Sequence, residues 1–119
     1  MACAKAETEN CGLTFCLPKG ATFLQVQPWG QNTTIYSVSS AGQTIIIHEG
    51  LGFRNHYSPE TPLSLPIDSK ASWGIDEGGQ AYVKIKPPSG RFIELYADCA
   101  TQEDCHLPNF ASRLSAKTL

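Results

Sequence analysis

The stretch Thr33 to Phe53, TTIYSVSSAGQTIIIHEGLGF, constrains the fold more than any other. Thr34, Tyr36 and Val38 alternate with Ile35, Ser37 and Ser39, the period of a β-strand. Ser39-Ser40-Ala41-Gly42 supplies turn chemistry. Ile45-Ile46-Ile47 then offers apolar side chains to both faces, as a strand covered on both sides requires. The segment is expected to be a hairpin that ends in a polar corner at His48, Glu49 and Gly50.

A second hairpin follows from the same rules. Ala81, Val83 and Ile85 share one face of a strand over Gln80–Lys86, and Tyr82, Lys84 and Lys86 share the other. Pro87-Pro88-Ser89-Gly90 is a turn, and Arg91–Ala97 returns with Ile93 and Leu95 opposite Phe92, Glu94 and Tyr96. Phe23, Leu24 and Val26 support an earlier strand, broken at Pro28-Trp29-Gly30. Near the C-terminus Leu107, Phe110, Ala111 and Leu114 form a stripe at helical spacing. Thr101 is expected to cap that helical region, with Gln102, Glu103 and Asp104 in its first turn and Pro108 opening a fresh start. These elements predict an α+β domain: an antiparallel sheet of about five strands, two hairpins plus an N-terminal strand, with a C-terminal helix on one face. A small β-sandwich is the alternative. Residues 1–10 read as a polar, flexible tether and residues 11–119 as a single globular domain, which suits a length of 119 residues.

Gly50 to Gln80 is different. Pro59, Pro62 and Pro66 are closely spaced and no strand or helix period persists, apart from a short strand allowed over Lys70–Gly74. It is expected to be a long loop, anchored by Leu63, Leu65, Ile67, Trp73 and Ile75.

Five cysteines in so short a chain point to disulfides. Cys11 with Cys16 and Cys99 with Cys105 are the local pairs, and neither has zinc-ribbon or redox C-x-x-C spacing. That leaves Cys3. Met1-Ala2-Cys3 followed by AKAETEN resembles the mature start of a bacterial lipoprotein. The resemblance implies a lipid on Cys3, an export signal already removed, and a periplasmic or extracellular domain whose membrane contact is through that lipid. Asn32-Thr33-Thr34 is a glycosylation triplet that matters only in a glycosylating host.

A net charge of −2 argues against nucleic acid as a partner. No run approaches the roughly 20 apolar residues of a membrane-spanning helix. No pattern calls for a metal or a cofactor. The densest polar cluster holds His48, Glu49, Arg54 and His56, which together could serve acid–base chemistry with stabilisation of an anion. It resembles the residue inventory of small secreted ribonucleases, although no motif of that family is present. Against a His48–Glu49 dyad, successive strand residues point to opposite faces.

Three functions therefore enter the structural description as expectations. The first is a small exported protein-binding or inhibitory module, not catalytic, that meets an unknown protein partner. It would use the 50–80 loop and the adjoining sheet face, through Phe53, Tyr57, Trp73, Tyr82, Phe92 and Tyr96. The second is a secreted hydrolase using His48, Glu49, Arg54 and His56. The third is a structural domain that forms a homodimer through its open sheet face. Whether the face carrying Tyr82, Phe92 and Tyr96 is open, or is covered by the long loop, is undecided by sequence.

Overall fold

The computed structural model describes residues 10–54, 58–88, 90–99 and 105–117. Cys3, His56, Tyr57 and the Thr101–Asp104 cap turn lie outside the described residues. In chain order the strands are β1 (Phe15–Cys16), β2 (Thr22–Trp29), β3 (Thr33–Ser40), β4 (Gln43–Gly50), β5 (Thr61–Leu63), β6 (Ala71–Ile75), β7 (Gln80–Ile85), β8 (Phe92–Asp98) and β9 (Ser115–Ala116), with helix α1 (Leu107–Ser112) before β9.

One antiparallel sheet dominates, in the order β2-β3-β4-β8-β7-β6-β5. Both expected hairpins are present. β3 and β4 turn at Ala41 and Gly42, whose φ angles of 52° and 78° give the left-handed pair that a two-residue hairpin needs. That turn sets Tyr36 opposite Ile47 and Val38 opposite Ile45. β7 and β8 set Ile85 opposite Ile93 and Val83 opposite Leu95. The hairpins join through β4 and β8, with Ile47 opposite Leu95 at the centre of the sheet.

The sheet has seven strands where about five were expected. The two extra strands come from the proline-rich stretch. β6 pairs with β7, and β5 pairs with β6 at the outer edge. β5 is three residues long and contains Pro62, so it lacks the length and donors of an ordinary strand, and an edge is where such a strand is tolerated. Sequence allows a short strand over Lys70–Gly74, and β6 occupies Ala71–Ile75, where Ala71, Trp73 and Ile75 on alternate positions face the core. Leu65 and Ile67 are buried and hold the intervening turn, as expected of them.

α1 is only six residues long, and the fold is mainly β, not a balanced α+β layer. Pro108 sits in its first turn, where a missing N–H costs nothing. Leu107, Phe110, Ala111 and Leu114 are all buried, against β7 and β8. The inner face of the sheet is therefore the α1 side, lined by Val38, Ile45, Ile47, Val83, Ile85, Ile93 and Leu95. Each fully buried aliphatic side chain contributes about 1.5–3 kcal/mol.

Both local cysteine pairs are bridged, Cys11–Cys16 and Cys99–Cys105. Disulfides are consistent with an oxidising compartment. Each closes a short loop and stabilises by about 2 kcal/mol in the chain-entropy picture. Cys99–Cys105 ties the end of β8 to the approach to α1. Cys11–Cys16 clamps the entry to the domain, where β1 pairs with β9. No described helix is long and apolar enough to cross a membrane.

Candidate functional site

Sheet parity separates His48 from Glu49, as strand geometry requires. Glu49 faces the inner side and is fully buried. Its carboxylate accepts hydrogen bonds from the Tyr36 hydroxyl, at 2.6 Å, and from the Thr14 hydroxyl. The Leu13 amide in turn donates to the Tyr36 oxygen at 3.1 Å. The disulfide-clamped loop thus seals Glu49 from solvent. Burial first, and then the Glu49 hydrogen bond, push the Tyr36 phenol far above its ordinary range. Glu49 is a structural carboxylate that cannot meet a ligand on the other face.

His48 faces the outer side, and another carboxylate meets it there. The β4–β8 register places Glu94 directly opposite His48. Glu94 is 2% exposed, and its Oε1 accepts the Arg54 backbone N–H at 2.9 Å. Tyr96, two residues along β8, places its ring centre 5.1 Å from that of His48, tilted at 60°, and lies 5.6 Å beneath the Arg54 guanidinium. These groups share an open cleft of about 520 Å³, walled by Trp29, Thr33, Ile35, His48, Gly50, Gly52, Arg54 and Glu94. Gly50 is required there, because a Cβ would stand 2.8 Å from the Thr33 hydroxyl oxygen.

The electrostatics are specific. Burial, reinforced by the nearby Arg54 cation, lowers the His48 pKa below the usual histidine value, and Glu94 only partly opposes this. His48 is therefore a neutral imidazole at pH 7. Burial also drives the Tyr96 phenol up, helped by the charge and hydrogen bond of Glu94. Tyr96 stays protonated and is a platform, not a proton donor at neutral pH.

The binding residues expected from sequence divide. Tyr82 and Tyr96 are buried, so the face they share is covered. Segment 58–60 closes over Tyr82, whose hydroxyl bonds Glu60 Oε2 at 3.1 Å. Burial and Glu60 push Tyr82 up to about 12. Glu60 also holds Lys84 at 2.8 Å. Phe53 packs edge-on to Phe92 with ring centres 4.8 Å apart, and both are half-buried. Trp73 lies opposite Val83 and packs into the inner core, away from Phe53, Tyr82, Phe92 and Tyr96. Among the described residues no group of three or more His, Cys, Asp or Glu is placed to hold a metal.

Two site residues were missed. Trp29 reads in sequence as part of the break after a strand and as one of several aromatics spread over turns and sheet faces, not as one of the binding residues; it is 64% exposed and stands at the rim of the cleft. In the sequence Glu94 is legible only as a neighbour of Tyr96 on one strand face. Its position beside His48 depends on β4 pairing with β8 across more than forty residues, which no local pattern reveals.

No protein-family model, curated protein or solved structure matches this chain. The site must be judged on its own chemistry.

Proposed function

We propose that the protein is a small exported binding module, not an enzyme, and that its recognition surface is the outer cleft between Trp29 and Arg54. The observation that supports this best is the exposed Trp29 indole at the rim of a cleft that already contains an exposed arginine and a neutral histidine. An exposed tryptophan beside an arginine is the composition of an interaction hot spot. Trp29 and Ile35 offer apolar surface, Arg54 offers a planar fork of donors for a carboxylate, and His48 offers one donor and one acceptor. The ligand that fits is a segment of another exported protein presenting a carboxylate beside an apolar side chain. Glu94 is occupied by the Arg54 amide and serves to orient the arginine's segment. Among the described residues no serine or cysteine lines the cleft, and its one hydroxyl side chain is that of Thr33. The two disulfides support an oxidising compartment.

The test is affinity capture from the native exported fraction, followed by titration of the captured partner. Wild type is expected to bind, and Trp29→Ala and Arg54→Ala each to weaken binding by about tenfold or more. Equal binding by both variants would remove the proposal.

One observation favours a second reading. His48 is held neutral within a cleft that also contains Arg54 and Glu94, an arrangement able to take a proton and stabilise an anion. That suits phosphodiester hydrolysis, with Glu94, and not Glu49, as the carboxylate beside His48. Release of acid-soluble product from RNA by wild type, lost in His48→Ala, would establish it. No turnover after prolonged incubation ends it.

A further inference from the structure

The sheet has two free edges among the described strands, and they are built differently. β5 is three residues long, contains a proline, and is flanked by the Glu60–Lys84 ion pair. Short length, proline and charge are the usual devices that keep an edge from pairing with another chain. β2 is eight residues long and carries no charged residue. Leu24 is 61% and Val26 54% exposed on it. A bulge at Leu24 and the missing N–H of Pro28 bracket the strand, which leaves the Gln25–Gln27 backbone as the accessible pairing segment.

We propose that this edge pairs with the same edge of a second copy, antiparallel and about a twofold axis at Val26. The chemistry of β2 is self-complementary in that register. Val26 meets Val26 of the second copy on the inner side, where Val26 already lies opposite the buried Tyr36. The apolar layer of each copy then continues into the other. On the outer side Gln25 meets Gln27 of the second copy. These two amides already bond one another within one chain, at 2.8 Å, and can exchange the same bonds across the axis. Twofold pairing sets like residues near like, so any charge here would repel its own copy. β2 has none. An uncharged edge also offers nothing by which to select a differently charged partner. Trp29 ends the same strand and stands at the rim of the cleft, but the pairing runs through Gln25–Gln27 and does not use the Trp29 side chain. A pairing segment of this size predicts a weak, concentration-dependent dimer.

The test is light scattering of the purified protein over rising concentration, with Val26→Lys and Val26→Glu as variants. Val26 is exposed, so both variants are expected to keep the wild-type melting curve, which is checked first. Wild type is expected to move from the 12.9 kDa monomer toward twice that mass. Each variant alone is expected to raise the dimer dissociation constant by about tenfold or more. An equimolar mixture of the two is expected to recover dimer, since lysine then faces glutamate at the axis. A wild type that stays monomeric, variants that dimerise normally, or a mixture that fails to recover would each overturn the proposal.

Discussion

Glu49 and Glu94 are both buried glutamates on neighbouring strands of one sheet, and they do opposite things. Glu49 faces inward, beneath the Cys11–Cys16 loop, with its oxygens taken by Tyr36 and Thr14. Glu94 faces outward beside a neutral histidine, at the floor of an open cleft. A buried carboxylate is costly unless its hydrogen bonds are made. On the inner face those bonds come from hydroxyls on β3 and on the N-terminal loop, so the carboxylate locks the fold. On the outer face the bond comes from the backbone of the segment that carries Arg54, so the carboxylate positions a surface group. Burial of a charge alone therefore does not mark a site. What lies on the same face does.

The contrast breaks most easily at Glu49. Glu49→Ala leaves two hydroxyls without an acceptor and opens a void, and is expected to cost about 3 kcal/mol of stability. Chemical denaturation measures it, and ligand binding at the cleft is expected to survive in the folded fraction. A neutral effect would mean that the inner network does not hold the fold.

Next in size is the clamp. Cys11→Ser with Cys16→Ser is expected to cost about 2 kcal/mol. Because Thr14 and Leu13 belong to the clamped loop, this loss is expected to be less than additive with Glu49→Ala, by about 1 kcal/mol in a double-mutant cycle. Full additivity would separate the loop from the carboxylate.

His48 sharpens the outer half through pH. Its folded pKa lies below the ordinary 6.5, for burial first and Arg54 second. The unfolded chain then takes up the proton first as pH falls. The stability associated with the neutral imidazole is complete above about 6.5 and is lost as pH drops from there toward the folded pKa. Melting curves between pH 7 and 5 are expected to fall more steeply for wild type than for His48→Gln. Identical slopes would mean that His48 is not held neutral. Arg54→Ala, at an exposed position, is expected to change stability by less than about 0.5 kcal/mol while raising the His48 midpoint seen by NMR.

Much of this architecture was legible before any coordinates. The turn at Ala41–Gly42, both hairpins, the two disulfides and the buried stripe of α1 rest on local chemistry, which short windows of sequence carry. β5 was hidden because Pro62 erases the strand pattern, and only its edge position makes the proline tolerable. The candidate site was half legible. His48 and Arg54 were picked out and do share a cleft, but the carboxylate beside them is Glu94. Adjacent residues advertise themselves in a sequence, whereas residues opposed across strands do so only once the register is known. Tyr82 and Tyr96 looked like a contact surface because their strand face carries charges, yet segments 53–54 and 58–60 cover it.

The most direct test of the central claim, that the outer cleft recognises a carboxylate beside an apolar group, is an NMR titration of isotopically labelled protein with two short capped peptides, one ending Leu-Glu and one Leu-Gln. The account predicts that the glutamate peptide shifts the backbone amides of Ile35, Gly50, Gly52 and Arg54 and the Trp29 indole, that the glutamine peptide shifts them less, and that Tyr36 and Glu49 stay still. Shifts centred on Tyr36 and Glu49, or none at the cleft at millimolar peptide, would contradict it.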